Sequence, residues 1–245
     1  MGLMTEDRED LLRGILKIKQ PGEKEGPRVN LDTILLAHYT RPKKQEKILE
    51  IGCAHGAVSL ILAKRGHSIE GVDIQPHLVE MAAENASANG LGEMTRFYAG
   101  DIRQHRSIWK AQSFDRIVVN PPYFGPGSGC RSPSEAIATA MNGSECTLDD
   151  MVTACRYLLK NRGYLDIVIH AGRVGELFAL LDKNNIAPKR IKAVHPRPGA
   201  EASVVLIEAI RASRHGLRVE DPLFVLDEEG KETQQLKEAY MIGGE

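Results

Sequence analysis

No apolar run in this sequence approaches the roughly 20 residues needed to cross a bilayer, so a helical membrane anchor is not expected. Charge of one sign is lacking too: Lys and Arg total 32, Asp and Glu 33, for a net charge of -1. A global basic field for nucleic acid is therefore excluded, and a polyanionic partner would have to rely on a local patch. The four cysteines (Cys53, Cys130, Cys146 and Cys155) contain no C-x-x-C pair. They read as free thiols of a reducing compartment, not a disulfide or zinc framework. His55, His77, His170 and His195 show no ligand spacing, so no metal is expected. The first ten residues are polar and acidic, unlike a secretory leader, and the expected location is cytoplasmic. Internal repeats and composition breaks are absent as well, which points to one domain of 1–245, and 245 residues suffice for one α/β core.

What is present is an alternation. Residues 1–19 turn amphipathic at Leu11, Leu12, Ile15, Leu16 and Ile18, suggesting a short helix or a helix followed by a strand. A Gly/Pro-rich loop over 20–27 leads to a helical run from Ile34 to His38, with Asn30 or Asp32 as its N-cap. From residue 47, short apolar runs at 47–51, 68–74, 94–99, 114–119 and 163–170 read as strands. Helical patterns at 57–64, 76–89, 148–159 and 174–183 lie between or after them. Strands alternating with helices imply right-handed βαβ units and a parallel sheet covered on both faces. Only about six residues separate runs 190–195 and 202–209, too few for a parallel crossover, so that pair is expected to be an antiparallel hairpin at the sheet edge. A strand at 222–226 and a helix at 232–240 close the chain.

Chemistry-bearing residues gather where these strands end. Glu50-Ile51-Gly52-Cys53-Ala54-His55-Gly56 joins the first core strand to a helix, and its small residues would let backbone amides approach a ligand at the helix N-terminus. As a bare turn it is compatible with a dinucleotide loop, an adenosyl-methionine loop or no ligand. Its spacing, an acid just before Gly52 and Gly56, fits the adenosyl-methionine pattern, with Ala54 at the middle glycine. Glu50 is then expected to hold an ammonium group directly or through water. Asp73 ends the second strand, where a carboxylate can accept both hydroxyls of a ribose, with Ile74 beside it for an adenine face. Asp101 and Ile102 follow the third strand and suit an adenine amino group and ring.

The fourth strand delivers Asn120-Pro121-Pro122-Tyr123-Phe124. The residue before a proline is held extended, and proline has no backbone donor. This stretch is therefore a stiff wall rich in acceptors with flat π-surfaces beside it, suited to a planar group carrying an –NH2.

With these four motifs in order, the chain resembles the class I S-adenosylmethionine-dependent methyltransferases of the N-P-P-Y type. It is similar over nearly its whole length to the bacterial tRNA adenine methyltransferases acting on adenosine 37 of a valine tRNA. That similarity includes Gln20, Asn30-Leu31-Asp32-Thr33 and His195-Pro196-Arg197-Pro198-Gly199. The resemblance implies a doubly wound, mostly parallel seven-stranded sheet. Residues 1–45 would form a lid, 46–211 the core and 212–245 an extension. S-adenosyl-L-methionine would be the cofactor, and Asn30, Thr33 and Asn120 would join the residues that bind it. Asn120, Pro121, Pro122 and Tyr123 would be catalytic. Phe124, Arg190, Lys192 and Arg197 would touch a tRNA substrate, with no membrane and no obligate protein partner. The same wall also fits the glutamine amide of a release factor, or adenine in DNA. The roughly 45 residues before the first core strand are short for the helical domain of the former, and no target-recognition domain is evident for the latter. A nucleotide-binding or scaffold protein on a degenerate form of the same fold is the remaining alternative, and the intact Asp73, Asp101 and Asn120-to-Tyr123 residues argue against it. At Ala54, where the pattern has glycine, altered packing is expected rather than lost binding.

Overall fold

The computed structural model of the protein describes residues 8–22, 25–121 and 146–241. The N-terminal segment is a β-hairpin, β1 (Glu9–Leu11) paired antiparallel with β2 (Leu16–Ile18), and not a helix. Leu12, Arg13 and Gly14 all adopt positive φ and turn the chain tightly. Leu16 and Ile18 then alternate inward around exposed Lys17, a period of two that overrides the helical spacing of the leucines. After it, α1 (Leu31–Tyr39) is capped by Asn30, whose side chain accepts the Thr33 N–H.

The core alternates as the sequence pattern predicts: β3 (Ile48–Ile51), α2 (Ala57–Lys64), β4 (Ile69–Asp73), α3 (Pro76–Ala88), β5 (Thr95–Ala99), a short α4 (His105–Ile108) and β6 (Phe114–Val119). There follow α5 (Leu148–Leu158), β7 (Leu159–His170), α6 (Val174–Lys183), β8 (Ile186–His195), β9 (Val204–Arg211), β10 (Arg218–Val219), β11 (Leu223–Phe224) and α7 (Gln234–Ala239). The strand order is β10-β8-β9-β7-β6-β3-β4-β5, with β11 also on β8. The described sheet thus has nine strands where seven were expected; the additions are the two-residue β10 and β11. β9 runs antiparallel between β7 and β8, the expected reversal.

β3 is buried at every position, as suits a central parallel strand with both faces covered. One apolar layer joins α1, α2 and the N-terminal hairpin to the sheet. The other packs α5 and α6 beneath Phe114, Ile117, Leu165 and Ile207. Because β3, β4, β5 and β6 are parallel, their carboxyl ends share one edge. Ile51 stands level with Val119 and Val72, and Asp73 with Ala99. β8 runs the same way, being antiparallel to β9, which is itself antiparallel to β7. The 196–203 turn therefore lies at that edge too.

Candidate active site

Four successive strand ends bring Asn120, Gly52, Asp73 and Asp101 into one row. With strands about 4.8 Å apart, the row is wide enough for a nucleoside carrying an amino-acid arm. Open α/β sheets bind ligands at such an edge.

The 52–56 loop is knitted tightly to β4. Gly52 and Cys53 donate their N–H groups to the Val72 carbonyl, Ala54 donates to Asp73 Oδ2 at 2.9 Å, and Gly56 donates to the Cys53 carbonyl. These amides therefore serve the fold, and the expectation that they face a ligand is corrected. What the loop offers is space. Gly52 sits at φ +73 with nothing within 4 Å of where a Cβ would stand. Gly56, at φ +88, has no such room: a Cβ would come within 3.0 Å of Ala82 Cβ. Ala54 also lies in the left-handed region, at φ 46. The departure from glycine therefore costs backbone strain rather than packing, about 1–2 kcal/mol for an L-residue.

Glu50 turns away from this cradle. Its Oε2 accepts both the N–H (2.9 Å) and the hydroxyl of Ser59 in the first turn of α2. The group is buried, 4% exposed, and burial raises its pKa from 4.5 to about 8. Burial thus favours its neutral form, and its Oε2 is engaged by Ser59, so the expected counter-charge for an ammonium group does not follow from this geometry. The partner Ser59 left no motif in the sequence.

Asp73 holds Gln75 N–H on Oδ1 and Ala54 N–H on Oδ2, each at 2.9 Å. Burial raises its pKa, with these bonds opposing. One accepted bond per oxygen leaves lone pairs for a diol. Ile74, next along, is 37% exposed, an unusual state for a large apolar side chain directly after a buried strand, and it suits a flat ring. Ile102, paired with Asp101 in the sequence reading as a stacking residue, is instead mostly buried among Val72, Trp109 and Phe114. Asp101 caps the turn that follows it and is chelated by Arg103, whose Nε lies 2.9 and 2.8 Å from its two oxygens. That guanidinium holds the Asp101 carboxyl below its usual range. An adenine amino group would share the carboxylate with Arg103. The open cradle at Gly52, the exposed Ile74 and the lone pairs of Asp73 fit an adenosyl cofactor.

At the other end of the row, Asn120 is half-buried and Pro121 buried. Asn120 Nδ2 reaches Thr33 Oγ1 at 3.5 Å, and Thr33 Oγ1 reaches Asn30 Oδ1 at 3.0 Å, so the N-terminus of α1 closes on the end of β6. Pro122, Tyr123, Phe124 and the 125–145 stretch lie outside the described residues.

The four residues expected to meet a polymer diverge. Arg197 is exposed in the turn after β8. Arg190 is corrected: it is 9% exposed, with Nε 2.7 Å from Glu220 Oε1 and Nη1 3.5 Å from Glu208 Oε1, a structural ion pair. Lys192 is partly covered and 3.8 Å from Glu220. Beneath Asn120 on the same strand, Arg116 is buried against Asp166, Glu46 (2.8 Å) and Glu208 (3.4 Å). Coulombic pull from Asp166 lifts its pKa against the cost of burial, while burial raises Asp166 to about 6. Among the described residues there is no cluster fit for a metal ion and no helix long and apolar enough to cross a membrane.

A family model described as "Methyltransferase domain" matches residues 42–194. A tRNA1(Val) (adenine(37)-N6)-methyltransferase of Aeromonas salmonicida is 30% identical over 183 residues, which is 74% of this chain and 75% of the relative. Its counterpart in Yersinia enterocolitica is 29% identical over 187 residues, 75% of this chain and 73% of the relative. Among solved structures, one titled a predicted O-methyltransferase from Agrobacterium tumefaciens superposes with a TM-score of 0.70 at 18% identity. It covers 87% of this chain and 98% of its own. At that identity it speaks for the fold alone.

Proposed function

Because the chain belongs to the methyltransferase-domain family, and within it to the tRNA1(Val) (adenine(37)-N6)-methyltransferases, we propose that it methylates the 6-amino group of adenine 37 in a valine tRNA. The observation that carries this reading is the row itself: a nucleoside cradle at Gly52, Asp73 and Ile74, and an amide at Asn120 on the adjoining strand end. When bound, S-adenosylmethionine supplies an electrophilic methyl group on a sulfonium. Asp73 would hold the ribose hydroxyls, Ile74 would cover one face of the adenine, and Asp101, shared with Arg103, would accept from its amino group.

The chain's remaining task concerns the acceptor. An aromatic amine is a weak nucleophile because its lone pair is delocalised into the ring. Asn120 Oδ1 and the Pro121 carbonyl accept its two N–H groups and favour a pyramidal nitrogen with its lone pair free. No base need act before attack, so positioning and electrostatics supply most of the acceleration. Stacking on the extruded base, a contact of about 1–3 kcal/mol, is the role the motif assigns to Tyr123, and Phe124 is a second candidate for it. Arg197 contacts phosphate. The hairpin and α1 are packed into the core, so the lid expected over 1–45 is not carried forward; the chain works in the cytoplasm without an obligate protein partner. Incubation with labelled cofactor and total tRNA, DNA and protein extract tests the reading. Label is expected in tRNA as N6-methyladenosine; label in protein alone would overturn it in favour of a glutamine amide acceptor.

A further inference from the structure

We propose that Thr33 and Asn30 are positioning residues that decide which end of the Asn120 amide meets the substrate amine. The inference rests on the function proposed above, because the amide can accept an N–H only through Oδ1. With Nδ2 presented instead, donor would face donor.

The two ends of a primary amide have nearly the same shape, so their assignment has to come from the protons around them. Asn30 comes first. One of its terminal atoms receives the Thr33 backbone N–H at 3.0 Å. A backbone N–H only donates, so that atom is the oxygen. Thr33 Oγ1 lies 3.0 Å from the same oxygen. Two oxygens at that distance require a proton between them, and an amide oxygen carries none. The one proton of the Thr33 hydroxyl is therefore committed to Asn30. Toward Asn120 the hydroxyl has only lone pairs left, and only Nδ2 can satisfy them. The inverted amide would set oxygen against oxygen with no proton between.

Thr33 is 8% exposed, so solvent has little access with which to supply a substitute proton. The Nδ2 contact is the longest of the three, at 3.5 Å, so the relay biases the amide rather than locking it. It also gives the N-cap of α1 a second task. The extended backbone of Asn30 (φ -125, ψ 176) and the first turn of the helix are the fixed frame against which the end of β6 is oriented.

The test is steady-state kinetics with the tRNA substrate, beside calorimetric cofactor binding, on the full chain well below its Tm. Thr33→Val keeps the shape and removes the hydroxyl. Its kcat is expected to fall by up to about twofold, because an unbiased amide still presents Oδ1 in about half of the population, with KM for tRNA and Kd for the cofactor within twofold of the parent. Thr33→Ser should rescue kcat. Asn30→Ala keeps the Thr33 hydroxyl but frees its proton to donate to Asn120 Oδ1, favouring the inverted amide, so kcat should fall further, about five- to tenfold for one modest hydrogen bond. Asn30→Asp, which keeps the acceptor, should recover most of that loss. A role limited to helix stability would lower Tm and leave the kinetics alone. The proposal is overturned if Asn30→Ala keeps kcat within twofold while Asn120→Ala abolishes it. It is equally overturned if cofactor Kd rises in step with the loss of kcat, which would make Thr33 a cofactor ligand. Should Thr33→Val fail to fold, the Asn30 pair decides alone. An Asn120→Ala variant that keeps full kcat would instead refute the proposed function itself.

Discussion

Replacing Glu50 by Gln removes a buried titratable group while keeping the hydrogen bonds it accepts. An amide oxygen can accept from the N–H and hydroxyl of Ser59 as the carboxylate oxygen does. Burial raises the carboxyl from 4.5 to about 8, so the folded protein keeps a proton that the unfolded chain has lost across that window. A folded pKa above the unfolded one means the group's contribution to stability is whole below about pH 4.5 and is lost as pH rises through 8. The loss is about 1.4 kcal/mol per pH unit at its steepest, and on the order of 5 kcal/mol across the whole window. Glutamine does not titrate, so Glu50→Gln should be spared this decline. Asp73, whose pKa burial also raises, remains in both proteins and largely cancels in the difference. Urea unfolding at pH 5, 6.5, 8 and 9 is the assay. The variant and the parent should have similar stability at pH 5, and the variant should lead by a few kcal/mol at pH 9. A difference that stays constant from pH 5 to pH 9 would refute the burial argument.

Three other substitutions probe other parts of the same edge. Arg116→Ala leaves Asp166 and Glu208 buried without their shared cation, and chemical denaturation should show a loss of about 3–5 kcal/mol. Ala54→Gly relieves the left-handed backbone at φ 46; stability should rise by up to about 1 kcal/mol, and calorimetry should find cofactor affinity unchanged. Ile74→Ala removes an exposed apolar face at the cost of roughly 1–2 kcal/mol of ligand burial. Cofactor Kd should therefore rise about tenfold while Tm stays put, and a loss of Tm instead would make Ile74 an ordinary core residue.

The parallel sheet and its ligand edge were legible because apolar runs and glycine turns are local signals. The short run 47–51, the loop glycines and Asp73 carry their meaning within a few residues of sequence. Direction was harder to read. Glu50 has the right spacing for a cofactor acid, yet Ser59, nine positions on, captures it once α2 folds back over β3. Asp101 is bound by Arg103, two residues away, a chelate the sequence shows but does not single out from any other exposed pair. The N-terminal hairpin was misread because five apolar residues in eight positions satisfy a helix as well as a turn, and only the positive φ values at 12–14 separate them. Arg190 looked like a surface cation because its partners Glu208 and Glu220 lie 18 and 30 positions away. A signal for the buried network did exist. Asp166 and Glu208 are each a lone charge inside an apolar strand run, and a buried charge needs a partner.

That network has a consequence for the history of the chain. Asp166 on β7 pairs with Arg116 on β6, Arg116 with Glu208 on β9, and Glu208 with Arg190 on β8, a chain of ion pairs across four neighbouring strands, and β6 leads into Asn120. Loss of Arg116 strands its carboxylates in the interior, and loss of any other member leaves a buried charge with one partner fewer. Relatives that diverge here should therefore do so in compensated sets, exchanging opposite charges together or replacing the cluster wholesale with apolar side chains. The strands of this half of the sheet would then be inherited as one unit, while the loops at their ends vary singly.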